Sequence, residues 1–278
     1  MKVVLFCGGF GLRMRDGQGS APKPMSMIGD RPLLWHVMRY YAYFGHTDFI
    51  LCLGYGAAAV KDYFLKYDET LSNDFTLSSG GRELELHSTD ITEWKITFID
   101  TGLRATIGER LARVRSHVEG EEIFLANYAD TLTNAPLPEM VKRFRESSAT
   151  ASMLAVPPPS THHVVDIADD GVVTAVRELR EGQWENGGYF VMRQGIFDVL
   201  RDGEDMVPHG FSRLAERKAL LAQRYDGFWR AANTFKDRAE LEEMFHRGHC
   251  PWMLWDVLRS PTARARFDMA QAVSTAVG

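Results

Sequence analysis

A glycine-rich turn followed by two cations is the segment of this chain best suited to chemistry. Gly8-Gly9-x-Gly11-x-Arg13 comes directly after a short apolar run, Val3 to Cys7. Glycines there let backbone N–H groups approach an anion closely, because no Cβ stands in the way. Arg13 and Lys23 add the positive charge that a triphosphate needs. The spacing is neither the P-loop G-x-x-x-x-G-K-[ST] nor the dinucleotide G-x-G-x-x-G. Taken alone, a G-G-x-G turn fits a tight strand-to-loop connection as well as a phosphate site.

The elements that must position this loop are legible from hydrophobic period. Val3 to Cys7 is continuous and apolar, as expected of a strand buried on both faces of a parallel sheet. Residues 12–31 read as a long loop. Leu33 to Phe44 has helical spacing, Phe49 to Leu53 is a second buried strand, and Ala57 to Tyr67 is a helix. That order implies right-handed crossovers and an α/β, doubly wound, mostly parallel sheet of Rossmann-like type. Residues 70–100 differ: Glu83 to His87 and Lys95 to Ile99 alternate, which predicts a small antiparallel excursion whose edges another subunit could close. The α/β pattern resumes with a helix over Glu109 to Val118, a strand over Ile123 to Ala126, a helix over Pro138 to Ser147 and a strand over Ala151 to Val156. A hairpin over Val164 to Val176 turns at Asp169-Asp170-Gly171, and Gly188 to Met192 is a strand. The last third reads as mostly helical. A single domain over 1–257 with a tail over 258–278 is expected.

The 278 residues are 45% hydrophobic and 25% charged, enough for a sizeable core. The net charge of -5 excludes a general nucleic-acid binder, though not a local cationic pocket. Cys7, Cys52 and Cys250 are sparse and far apart, which suits a reducing, cytoplasmic compartment. The N-terminal apolar run is too short for a signal peptide, and no stretch approaches the ~20 apolar residues of a membrane span.

Beyond the glycine loop, Pro22-Lys23-Pro24-Met25 and Ile28-Gly29-Asp30-Arg31-Pro32-Leu33-Leu34 follow. With them the chain resembles the glucose-1-phosphate cytidylyltransferases of the sugar-nucleotidyltransferase superfamily, whose opening reads G-G-x-G-T-R and then P-K-P-M. The resemblance continues at Trp35-His36-Val37-Met38, Asp100-Thr101-Gly102, Arg110-Leu111-x-Arg113-Val114, Asn186-Gly187-Gly188-Tyr189-Phe190-Val191, Gly227-Phe228-Trp229 and Pro251-Trp252-x-x-Trp255. It runs in unbroken order from residue 1 to about 255, far more specific than any one motif.

The resemblance implies transfer of a nucleotidyl group from a nucleoside triphosphate, CTP first, to a sugar 1-phosphate, with Mg²⁺ required and pyrophosphate leaving. It implies that Gly8, Gly9 and Gly11 cradle the triphosphate, and that Arg13 and Lys23 bind its oxygens. Arg110 matches a base-contacting arginine. Asp130, in Tyr128-Ala129-Asp130, matches a metal-binding aspartate of a Y-G-D motif, and Asn186 and Gly187 match sugar-hydroxyl contacts. It also implies a homo-oligomer, trimer or hexamer.

Four departures fall on the chemistry. Leu12 stands where the family has Thr. Gly182 stands near the lysine of an E-K-P motif that contacts the sugar phosphate. Asn233 replaces a second metal aspartate, giving up a full charge at a site that favours carboxylates. His209 stands near a family glutamate. Arg177 and Arg180 lie beside the missing lysine and are candidates to replace it at the sugar phosphate. The alternative is a nucleotide- or sugar-nucleotide-binding homologue without turnover, acting as a regulatory or scaffold subunit.

Other clusters read as structure. His246-Arg247-Gly248-His249-Cys250 is a helix C-terminus capped by Gly248. His162-His163 follows three prolines and reads as an exposed loop. Cys7 belongs to the buried strand, and Trp229, Trp252 and Trp255 to packing.

Overall fold

Every apolar side chain of the first strand is buried, and successive ones point to opposite faces of the sheet, as the continuous apolar run requires. In the computed structural model, which describes residues 1–9, 22–159, 163–178 and 182–256, β1 is Lys2–Phe6. Val3 and Leu5 join one core, Val4 and Phe6 the other. Burying each such side chain is worth roughly 1.5–3 kcal/mol, so a strand with no polar face is stable only between two layers.

The other central strands are β2 (Asp48–Leu53), β3 (Lys95–Asp100), β4 (Phe124–Asn127), β5 (Ala151–Val156), β6 (Glu185–Met192) and β7 (Leu220–Arg224). They form one seven-stranded sheet in the order β7-β5-β6-β4-β1-β2-β3. Only β6 runs antiparallel to its neighbours, β5 and β4. The helices α1 (Leu33–Tyr43), α2 (Ala57–Leu65), α3 (Ile107–Arg113), α4 (Leu137–Arg145) and α5 (Phe235–His246) cover the faces. Leu34, Val60, Leu137 and Leu241 fill the first core, and Leu111, Val118, Phe197 and Phe211 the second.

The chain winds from β1 outward through β2 to β3, then returns to place β4 on the other side of β1. That reversal leaves a crevice beyond the carboxyl ends of β1 and β4, where open α/β sheets bind ligands.

Three expectations need correction. Lys95–Asp100 is not part of the antiparallel excursion. It pairs parallel with β2 as the edge of the main sheet, and its alternation reflects half-burial at that edge. The excursion itself is the hairpin Phe75–Ser78/Glu83–Leu86. The stretch read as one helix over Glu109 to Val118 is two, because Ile107–Arg113 ends at Val114 and Arg115–Val118 follows. The last third is not mostly helical: Leu220–Arg224 is a sheet strand parallel to β5, and Trp229–Ala231 pairs with Thr131–Thr133. The hairpin turning at Gly171 is present as His163–Ile167/Val173–Glu178. Residues 258–278 lie outside the described residues, as do Gly11, Leu12, Arg13, His162 and Arg180.

Trp252 stacks on Phe228 at 5.5 Å and lies beside His36, which Trp255 also faces. His36 donates from Nε2 to the Ile28 carbonyl at 3.0 Å, and its Nδ1 lies 3.4 Å from Trp252 Nε1. Burial lowers its pKa to about 4, so the ring is neutral, with Nδ1 left to accept the indole N–H. This contact ties the Ile28 turn, and with it the segment after Pro22, to the C-terminal region.

Candidate active site

Three parallel strands end at one guanidinium. Arg110, on α3 and 2% exposed, donates to the Gly8 carbonyl beyond β1 (2.9 Å), to the Leu53 carbonyl at the end of β2 (3.1 Å) and to Thr101 Oγ1 beyond β3 (2.7 Å). The close approach demands glycine. A Cβ on Gly8 would collide with Arg110 Nη1 and come within 2.9 Å of the Gly54 amide. Burial lowers the arginine's pKa, and its hydrogen bonds to carbonyl oxygens compensate the desolvated charge. Arg110 therefore sits beneath the glycine turn and fixes its carbonyl side. Cys7, also buried, has its thiol pushed up by desolvation and stays protonated, in keeping with a core role.

Lys23 is held from the opposite wall. Pro22 packs on Gly56, where a Cβ would strike the proline ring, and Lys23–Met25 form a 3₁₀ turn with Pro24 and Met25 buried. The Lys23 ammonium donates to Asp130 Oδ2 at 2.5 Å and to Asn233 Oδ1 at 2.6 Å. Asp130 follows β4, and Asn233 follows the strand Trp229–Ala231. The ribbon of that strand with Thr131–Thr133, extended by Ala232 N–H donating to the Asp130 carbonyl, brings the two side chains together. Asp237 Oδ2 accepts from the N–H groups of Asn233 and Thr234, capping α5 and fixing Asn233.

The residue before Asp130 is strained. Ala129 is buried with φ +60, a left-handed conformation that costs a residue with a Cβ roughly 1–2 kcal/mol. Asn127 Oδ1 accepts its N–H at 2.6 Å. Glycine would adopt this backbone freely.

Along β6, Asn186 Nδ2 donates to Tyr128 Oη at 3.0 Å, and Gly187 offers its carbonyl to Trp229 Nε1 at 2.8 Å. Arg177 sits on the exposed hairpin in a two-toothed pair with Asp166, both contacts at 3.2 Å, apart from the Lys23 cluster. Gly182 has φ +71 and open space around its would-be Cβ. His209 is exposed, with Nδ1 3.3 Å from the Asp205 carbonyl. A cation the sequence did not single out, Arg224, ends β7 on the same edge of the sheet and lies 5.3 Å over the ring of Trp184, two residues from Gly182. The signal was the run Leu220-Leu221-Ala222-Gln223-Arg224, hidden inside a region read as helical.

A cavity of about 840 Å³ opens elsewhere, between Arg31, Trp35, Ser72, Asp90, Phe245 and Trp255. It is lined by none of Gly8, Gly9, Lys23, Arg110, Asp130 or Asn233, and the crevice at the carboxyl ends of β1 and β4 is the candidate site because Gly8 and Gly9 follow β1, Asp130 follows β4 and Lys23 pairs with Asp130. Among the described residues no three His, Cys, Asp or Glu side chains form a metal cluster, and no helix is long and apolar enough to cross a membrane.

No protein-family model matches the chain. Over 257 residues it is 35% identical to a Bacillus subtilis protein described as a probable glucose-1-phosphate cytidylyltransferase, covering 92% of this chain and 100% of that one. It is 32% identical over 259 residues to the glucose-1-phosphate cytidylyltransferase of Salmonella typhi, with the same coverage. The chain belongs to the glucose-1-phosphate cytidylyltransferase family. By class it is a sugar-1-phosphate nucleotidyltransferase. The fold agrees with a UTP-bound UGPase from Acinetobacter baumannii, at TM-score 0.64, 18% identity and 98% coverage of both chains.

Proposed function

We propose that this enzyme transfers a cytidylyl group from CTP to a sugar 1-phosphate, with Mg²⁺ as cofactor. The observation that carries the reading is the convergence of Asp130 Oδ2 and Asn233 Oδ1 on one cationic atom beside the glycine turn. The similarity to named cytidylyltransferases supports CTP as the nucleotide and glucose 1-phosphate as the first sugar to try.

The donor set fits Mg²⁺. Two oxygens, one a carboxylate, already meet around a positive charge, and Mg²⁺ characteristically takes one or two protein carboxylates and completes its shell with phosphates and water. Asp130 and Asn233 would hold it, and the ion when bound neutralises triphosphate charge. The chain's own groups do the rest. The amides of Gly8, Gly9 and Gly11 receive phosphate oxygens, and Arg13 and Lys23 stabilise the pyrophosphate as its bond to the α-phosphorus breaks. The sugar phosphate oxygen attacks that phosphorus in line. Arg110 acts from beneath, setting the orientation of the Gly8 peptide. Asn186 and Gly187 receive the sugar hydroxyls. Gly182 carries no charge and Arg177 is paired with Asp166, so we assign the counter-charge of the sugar phosphate to Arg224, with Arg180, outside the described residues, as the other candidate.

Pyrophosphate release with CTP, Mg²⁺ and a panel of sugar 1-phosphates tests the reading. Release with at least one sugar is expected. No release with any nucleotide or sugar would turn the case to a non-catalytic nucleotide-binding homologue.

The oligomer is also proposed. Val165, Ile167, Val173 and Val176 of the long hairpin are each about half exposed or more, as are Leu77 and Leu84 of the short one. Isolated two-stranded ribbons with apolar faces gain stability when covered. Light scattering should give a trimer or hexamer, not the 31.4 kDa of one chain.

A further inference from the structure

We propose that Lys23 occupies the cation position of this site until a nucleotide draws it away, so that metal binding waits on nucleotide binding. The inference rests on the nucleotidyltransferase reading for its context, and on three observations for its substance.

The first is geometric. The ammonium lies 2.5 Å from Asp130 Oδ2 and 2.6 Å from Asn233 Oδ1. These are the two oxygens that would bind the ion, at the ~2.0–2.1 Å that Mg²⁺ requires. A metal and an ammonium cannot both sit between them. They would overlap, and their like charges would repel at a distance where screening by water is weak.

The second is charge. Asp130 with Lys23 is neutral, and Asn233 adds no charge. A carboxylate at position 233 would leave a net negative site that attracts a divalent ion despite the lysine. The asparagine removes that residual pull while still accepting the lysine's second hydrogen bond. The departure from the family motif at this position therefore makes the lysine a more effective occupant.

The third is a long side chain on a fixed base. The Pro22–Met25 turn is anchored by Gly56 and by two buried side chains, whereas the Lys23 side chain keeps 15% of its surface exposed. The four-carbon stem lets the ammonium swing to a triphosphate without moving the backbone. A triphosphate offers it more negative charge than one carboxylate does. Departure of the lysine then frees both oxygens as the metal–nucleotide complex arrives. By linkage, whatever favours lysine release favours metal binding by the same factor.

The test uses the nucleotide-free protein and Mn²⁺ as a paramagnetic probe, with free Mn²⁺ followed by electron paramagnetic resonance. Lys23→Met and Lys23→Gln are compared with the parent, each checked for folding by circular dichroism. The parent should bind Mn²⁺ weakly, and both variants at least about tenfold more tightly. Adding Asp130→Asn to Lys23→Met should abolish the gain. Folded variants with unchanged or weaker Mn²⁺ binding would overturn the proposal. Because no nucleotide is present, that result is separate from pyrophosphate release, whose failure would instead sink the functional reading.

Discussion

The two ends of the carboxyl edge of the sheet are built differently. At β1, β2 and β3 the backbone is pinned from below by a buried arginine, glycine is enforced by contact, and beyond β4 Asp130 is aimed by a strained, capped Ala129. At β5, β6 and β7 the corresponding positions ride on exposed pieces: Arg177 on a hairpin, the uncharged Gly182 in open space, Arg224 on a half-exposed Trp184. The first end resembles a mould that cannot change without loss of stability. The second carries its charge on side chains that can be exchanged without touching the core. On the reading proposed above, such a site keeps its nucleotide half fixed while the sugar half takes its cation from a different strand.

The largest expected effect is on folding itself as acid is added, and it sets a background against which the two ends are compared. His36 titrates at about 4 in the folded protein against an ordinary 6.5, and His46 is lowered to about 4 as well, both by burial first. Between these values the unfolded chain binds more protons. Stability is therefore fully present above about pH 6.5 and falls as pH drops toward 4, by about 3 kcal/mol for His36 alone. Urea midpoints across that range should show the loss, and His36→Gln should flatten part of it. A curve identical to the parent's would show that His36 does not carry this dependence.

Gly8→Ala comes next. Its Cβ meets a guanidinium already fixed by three acceptors, so about 1–3 kcal/mol should be lost and activity should fall with it. Thermal unfolding of the variant checks this, and an unshifted midpoint would mean the turn is not rigid. Arg224→Ala makes the opposite case. We expect an unchanged melting temperature and about a tenfold higher KM for the sugar phosphate, with KM for CTP unmoved. If KM for CTP changes instead, Arg224 serves the other half of the site. The smallest effect is Ala129→Gly, which should stabilise the fold by about 0.5–1 kcal/mol by relieving φ +60, measured by denaturant unfolding.

The sequence made the pinned end legible and blurred the exposed one, for physical reasons. A strand buried on both faces leaves a continuous apolar run, so β1 and β2 could be read directly, and a glycine forced by close packing is visible as a glycine. Lys95–Asp100 misled because an edge strand of a parallel sheet alternates as an antiparallel one does. Leu220–Arg224 was missed because five residues with mixed polarity carry no period of their own and depend on β5 for their pairing. The resemblance matches Arg110 to a base-contacting arginine, but a motif says nothing about which strand-end carbonyls surround its guanidinium. Lys23, Asp130 and Asn233 were each singled out, but their meeting on one atom depends on a ribbon between residues about 100 positions apart.

The most direct test of the central claim is a crystal structure with CTP and Mg²⁺. The account predicts the triphosphate against the Gly8 and Gly9 amides, with Lys23 withdrawn from Asp130 and Asn233 onto a phosphate. Nucleotide bound instead in the cavity lined by Arg31, Trp35 and Trp255, with Lys23 still bridging Asp130 and Asn233, would contradict it.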